Sequence, residues 1–108
     1  MNVFYLHENP TLAAEYHVDK HVVKMPLEEA QMLCSTLRLH APEYAEEAGL
    51  YRAVHQKHPC TIWAADKVEN CAWLIEHAVG LCIEFDIRYD KLHNLTDSIL
   101  ATKKLFQD

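Results

Sequence analysis

Residues 17–37 read HVDKHVVKMPLEEAQMLCSTL, and the periodicity of this stretch decides the fold class. At about 100° per residue, His17, Lys20, His21, Lys24, Glu28 and Gln31 project within a sector roughly 100° wide. Leu12, Val22, Val23, Ala30, Leu33 and Leu37 point the other way. The pattern is an amphipathic helix whose polar stripe combines lysine, histidine and glutamate, a set able to hold anions and move protons. Asp19 falls on the apolar side, where an unpaired carboxylate is costly. It therefore requires a partner: a buried histidine, an arginine or backbone N–H groups.

The helical reading extends in both directions. Asn9-Pro10 is a helix start, with Asn as cap and Pro at the first helical position, and a helix is expected from Pro10 towards His40. Pro26 lacks the N–H that would bond the Val22 carbonyl, and it restricts Met25. It predicts either a kink or a break near Lys24 with a second helix from Pro26. Pro42 to Ala48 reads as a short acidic helix stopped by Gly49, and Leu50 to Lys57 as irregular or briefly helical. His58-Pro59 repeats the start signal. From Cys60 to about Asp90 runs the longest helical pattern, with a split expected near Asp66. A last helix is expected from Thr96, with Asp97 in its first turn. Val3 to Leu6 is either a buried strand or an extended lead-in. There is no repeat, linker or low-complexity tract. The expected architecture is mostly α, a compact single-domain helical bundle spanning residues 1–108.

Composition agrees with this. Half of the 108 residues are hydrophobic, with only two glycines and four prolines. No apolar run approaches the roughly 20 residues of a membrane span, so no membrane partner is expected. The N-terminus lacks the basic and apolar regions of a signal peptide. Cys34, Cys60, Cys71 and Cys82 form no Cys-x-x-Cys pair and read as small buried thiols in a reducing cytoplasm. The formal charge of −6 opposes non-specific nucleic-acid binding through bulk charge. Local basic clusters remain: Lys20, His21 and Lys24, and then Arg52, His55, Lys57 and His58.

Three constellations could carry chemistry. The first is the stripe, in which a lysine beside a second cation serves as amine or anion anchor and a glutamate one turn away relays protons. Its plain alternative is a solvated face with a Lys24–Glu28 ion pair, and spacing alone favours that alternative. The second is His58-Pro59 with Trp63. Imidazole at a helix mouth sits beside free N–H groups, and Trp63 offers a stacking face for a base; otherwise His58 caps the helix and Trp63 is core. The third is the face Asn70, Trp73, His77, Leu81, Glu84 and Arg88. There His77 reads first as a core histidine, and Glu84–Arg88 as a structural i,i+4 pair.

His17 and His21 have metal-sharing spacing, and His55 and His58 could add to it. No zinc-protease motif or cysteine pair completes a set, so no metal is expected. No cofactor is expected either, because two glycines cannot build phosphate loops or dinucleotide fingerprints.

The order of these pieces carries a resemblance. Met1-Asn2-Val3-Phe4 leads to Asp19-Lys20-His21, Lys24, Glu28 and Gln31-Met32-Leu33. His58-Pro59, Trp63, Cys82-x-Glu84 and Arg88-Tyr89 follow. Over nearly the whole chain this resembles a family of small, uncharacterised bacteriophage proteins. More distantly it is similar to bacterial proteins described as pyrimidine-dimer DNA glycosylase-like. The phage pyrimidine-dimer glycosylases are helical and attack the sugar C1′ with an N-terminal threonine α-amine through a Schiff base, assisted by a glutamate and arginines. The resemblance implies Glu28 as the acid, with Lys20 and Lys24 as phosphate-binding cations, in the cytoplasm of a host cell. Asn2 stands where that nucleophile would be, so Lys24 is left to supply the amine.

The expectation is thus a phage-encoded protein directed at DNA or a nucleotide, glycosylase/AP-lyase-like in chemistry. Glu28, Lys24 and His21 are the catalytic candidates, and Lys20, Gln31, His58, Trp63 and His77 the substrate-binding ones. A non-enzymatic protein that binds or inhibits a basic host protein is the main alternative. A small metal-dependent hydrolase using His17, His21 and His58 is the third.

Overall fold

The computed structural model describes residues 3–47, 49–50 and 58–107. They form α1 (Pro10–Glu15), α2 (Asp19–His40), α3 (Pro42–Glu47), α4 (Pro59–Asp66), α5 (Val68–Tyr89) and α6 (Thr96–Gln107). The protein is a mostly α bundle, as its periodicity requires. The helix starts follow local signals. Asn9 caps α1 by accepting from the Leu12 N–H at 3.1 Å, with Pro10 inside the first turn. His58 caps α4 in the same way, its Nδ1 accepting from the Cys60 N–H at 3.0 Å. Lys67 is extended, which divides α4 from α5 where a split was expected. The segment from Val3 has no regular structure before α1 and is a lead-in, not a strand.

The break in the first helical stretch is not at Pro26. That proline is buried within a continuous α2, where packing outweighs its one missing hydrogen bond. The chain turns instead at Tyr16–Val18, and Val18 is extended. Arg88 on α5 accounts for this: its guanidinium donates to the Glu15 carbonyl at 3.1 Å and to the His17 carbonyl at 2.8 Å, oxygens that lie where α1 ends. It also pairs with Asp19 at 2.9 Å and with Glu84 at 3.1 Å. The partner required by Asp19 is therefore an arginine, although its side chain is 76% exposed and not on the apolar side.

Helix α5 is the axis of the bundle, packed against α1, α2, α4 and α6. The main core joins Met32 and Leu33 of α2 to Leu74, Ile75 and Ala78 of α5 and Ile99 of α6. A second cluster joins Ala14, Val22, Met25, Leu81 and Phe85, with Phe4 against it. Gly80 lets α1 approach closely, since a Cβ there would stand 3.0 Å from that of Ala14. None of the four cysteines is joined in a disulfide; Cys34, Cys71 and Cys82 are buried and Cys60 is half-buried. Among the described residues no helix is long and apolar enough to cross a membrane. Arg52, His55, Lys57, Asn2 and the end of the acidic helix at Ala48 lie outside the described residues.

Candidate functional site

The polar face of α2 is mostly wet. Lys20 and Lys24 are exposed, and Glu28, Gln31 and His21 are half-buried. Among the described residues neither Lys24 nor Glu28 has an ion pair, so the predicted Lys24–Glu28 bridge is not formed. The densest chemistry lies on the opposite, buried face. Glu29 is fully buried, as is His77 of α5, and both carboxylate oxygens of Glu29 lie 2.9 Å from His77 Nδ1. His17, buried in the turn before α2, holds its Nδ1 2.7 Å from the Ala13 carbonyl. A carbonyl only accepts, so that nitrogen carries the proton and Nε2 carries the lone pair.

The two imidazoles adjoin, with ring centroids 4.9 Å apart. Each has its Nδ1 held, and each has a buried Nε2 without a hydrogen-bond partner among the described residues. Burial is the largest influence holding the His17 imidazole below its ordinary pKa. The Ala13 hydrogen bond opposes it, and the nearby His77, His21 and Arg88 add to it. Burial likewise raises the Glu29 carboxyl, against the opposing effect of His77. A buried carboxylate that orients an imidazole at Nδ1 leaves Nε2 as the working nitrogen, the arrangement used in acid–base sites.

Aromatic rings extend this pair on both sides. His77 stacks on Trp73 at 4.7 Å, and Trp73 meets Trp63 edge-on at 6.0 Å. On the other side His21 lies 6.1 Å from His17 and stacks on Phe4. Beyond Trp73 a cleft of about 350 Å³ is lined by Val3, Tyr5, Cys60, Trp63 and Asn70. Of the residues singled out by sequence, the structure thus brings His21, His77 and Trp63 into one row of rings. Lys20 and Lys24 lie on α2 beside His21, while Glu28 and Gln31 sit further along that helix. His58 is occupied at the mouth of α4, and neither it nor the stripe lines the cleft. Among the described residues no three His, Cys, Asp or Glu side chains are placed to hold one metal ion.

Glu29, Tyr5 and Phe4 are the site residues to which sequence reasoning gave no role, while His17, read as part of the polar stripe, is buried instead, and Trp73 was read only as a neighbour of His77. Glu29 had a usable signal: it stands on the apolar face between Val22 and Leu33, where the argument applied to Asp19 demands a partner. Comparison with family models, curated proteins and solved structures gives no match.

Proposed function

We propose that this chain is a glycosylase-like hydrolase of DNA or a nucleotide, with His17, His77 and Glu29 at its chemical centre. The observation that carries the reading is the pair of buried imidazoles, each held at Nδ1 and each presenting an unpartnered Nε2. Neutral His17 is the base that takes a proton from water at Nε2. His77, oriented by Glu29 and carrying a proton on Nε2, gives that proton to the departing base. The water oxygen joins C1′ as the N-glycosidic bond breaks, and the proton on His17 returns to His77 through solvent. Trp73 and Trp63 supply stacking faces for a base, and Lys20 and Lys24 supply cations for phosphate.

The test is release of free base from dimer-containing, single-stranded and abasic DNA, with borohydride present in parallel. Base release without a trapped adduct, lost in His17→Gln and Glu29→Gln, is the expected result. An adduct abolished by Lys24→Ala moves the chemistry to the Lys24 amine with Glu28 as its acid. No release and no adduct overturns the enzymatic reading.

A second reading, a protein that binds another protein, draws on a separate observation. Ile83, Ile87, Leu92 and Leu100 are 47–70% exposed, and all but Ile87 line an apolar cleft of about 270 Å³ between α5 and α6. Recovery of a stoichiometric protein partner that is lost in Ile83→Asp but retained when Lys24 and Glu28 are replaced favours this reading.

A further inference from the structure

The two unpartnered Nε2 atoms are sealed from solvent, so any group that reaches them must displace what covers them. Residues 3–8 precede α1 without regular structure and lay Phe4 and Tyr5 against this row of rings. Among the described residues three hydrogen bonds tie this segment to the rest of the chain: Val3 N–H to Cys60 Sγ at 3.3 Å, Trp73 Nε1–H to the Glu8 carbonyl at 2.8 Å, and the neighbouring Asn9 N–H to His7 Nδ1 at 2.9 Å. Val3 packs against the main core and Phe4 against the second cluster, and ring stacking adds to these contacts. Phe4 lies on His21 with centroids 4.6 Å apart and planes 11° apart, and Tyr5 lies on Trp73 at 4.8 Å and 28°.

These are the separations and tilts at which nucleobases stack on protein rings. The two platforms are also the outer members of the row His21–His17–His77–Trp73. We infer that Phe4 and Tyr5 occupy the stacking positions of two unpaired bases, and that single-stranded DNA binds by displacing residues 3–8 and taking those positions. The proposal rests on the glycosylase-like reading of the same site and names the form of its substrate.

Several features fit. Tyr5 is 58% exposed, so its ring stays on Trp73 with little burial to hold it there. The 350 Å³ cleft beside Tyr5 offers room for a ring to enter. Exposed Lys20 and Lys24 flank His21 on α2 and suit the phosphates of a strand whose base lies on that ring. A base in the place of Tyr5 would stack on Trp73, whose ring in turn stacks on His77, and displacing Phe4 removes the ring that meets His17 edge-on at 6.0 Å. The closed segment lowers apparent affinity by the fraction of time it is open.

The experiment is titration of the full chain with an oligothymidylate of about eight nucleotides, near the footprint of small single-strand sites. Quenching of Trp63 and Trp73, the chain's only tryptophans, is the readout. Wild type should bind and quench. Tyr5→Ala and Phe4→Ala should each tighten binding by about threefold to tenfold, because each removes one competing ring. Tyr5→Ala alters an exposed side chain, so it tests the proposal even if Phe4→Ala weakens the fold. Weaker or unchanged binding in Tyr5→Ala overturns the proposal, as does a wild type that shows no quenching. Tighter binding in Tyr5→Ala with no base release supports it and overturns the hydrolytic reading. Base release with no effect of Tyr5→Ala does the reverse.

Discussion

His77 Nδ1 and the carboxylate of Glu29 meet at 2.9 Å from partners 48 residues apart, each side chain wholly removed from solvent. A buried pair of this kind is costly to assemble and more costly to break, since the survivor keeps its desolvation penalty. Glu29→Ala should therefore cost about 3 kcal/mol, read from urea unfolding. The double variant with His77→Ala should cost less than the sum of the two single changes by about 1 kcal/mol or more. Strict additivity would mean that the two groups are not energetically coupled.

Stability should fall on the acid side through His17. Its imidazole is held below 6.5 in the native chain, so the unfolded chain binds the proton first as pH drops. The stability present above that value is lost as pH falls from it towards the lowered one. Glu29 has the opposite sign: its carboxyl is raised above 4.5, so its contribution is present at low pH and lost as pH rises through the raised value. His17→Gln should flatten the fall in melting temperature between about pH 7 and pH 5. An unchanged slope would place the acid sensitivity in other groups.

Arg88 closes the turn that carries His17, through the Glu15 and His17 carbonyls and the Asp19 carboxylate. A lysine cannot reproduce that planar set of donors. Arg88→Lys should cost about 2 kcal/mol and speed amide exchange in residues 15–19, with little change at α6. If Lys serves as well as Arg, charge alone would be what the turn requires.

Gly80 should resist the substitution that helix propensity favours. Alanine gains about 1 kcal/mol in a helix interior, yet its Cβ would stand 3.0 Å from the Ala14 Cβ and 3.4 Å from the Thr11 Cα. The collision should push α1 from α5 and leave a net loss of about 1 kcal/mol or more. A thermal melt showing Gly80→Ala more stable than wild type would mean that α1 yields freely.

Most of the helical framework was legible because its signals are local. Asn9-Pro10 and His58-Pro59 open helices wherever they stand, and apolar spacing marks the face that packs. The split at Lys67 and the start of α6 at Thr96 follow from the same rules. The first helix was different. Proline geometry pointed to Pro26, but burial holds α2 together there, and a guanidinium from α5 terminates α1 some ten residues earlier. No local pattern near Tyr16 contains that information.

The site divides in the same way. His21, His77 and Trp63 could be named from sequence because histidine and tryptophan announce their chemistry by type. The polar stripe could be seen as well, since a helical wheel needs one segment only. The sequence by itself determined a mostly α chain with Lys20, His21, Lys24, Glu28 and Gln31 on one face of α2. Tertiary structure alone decided that the buried centre is Glu29 with His77 and His17, under Phe4 and Trp73. That choice belongs to the packing of α5 against α1 and α2, which brings together side chains 48 and 60 residues apart in the chain and strips them of water.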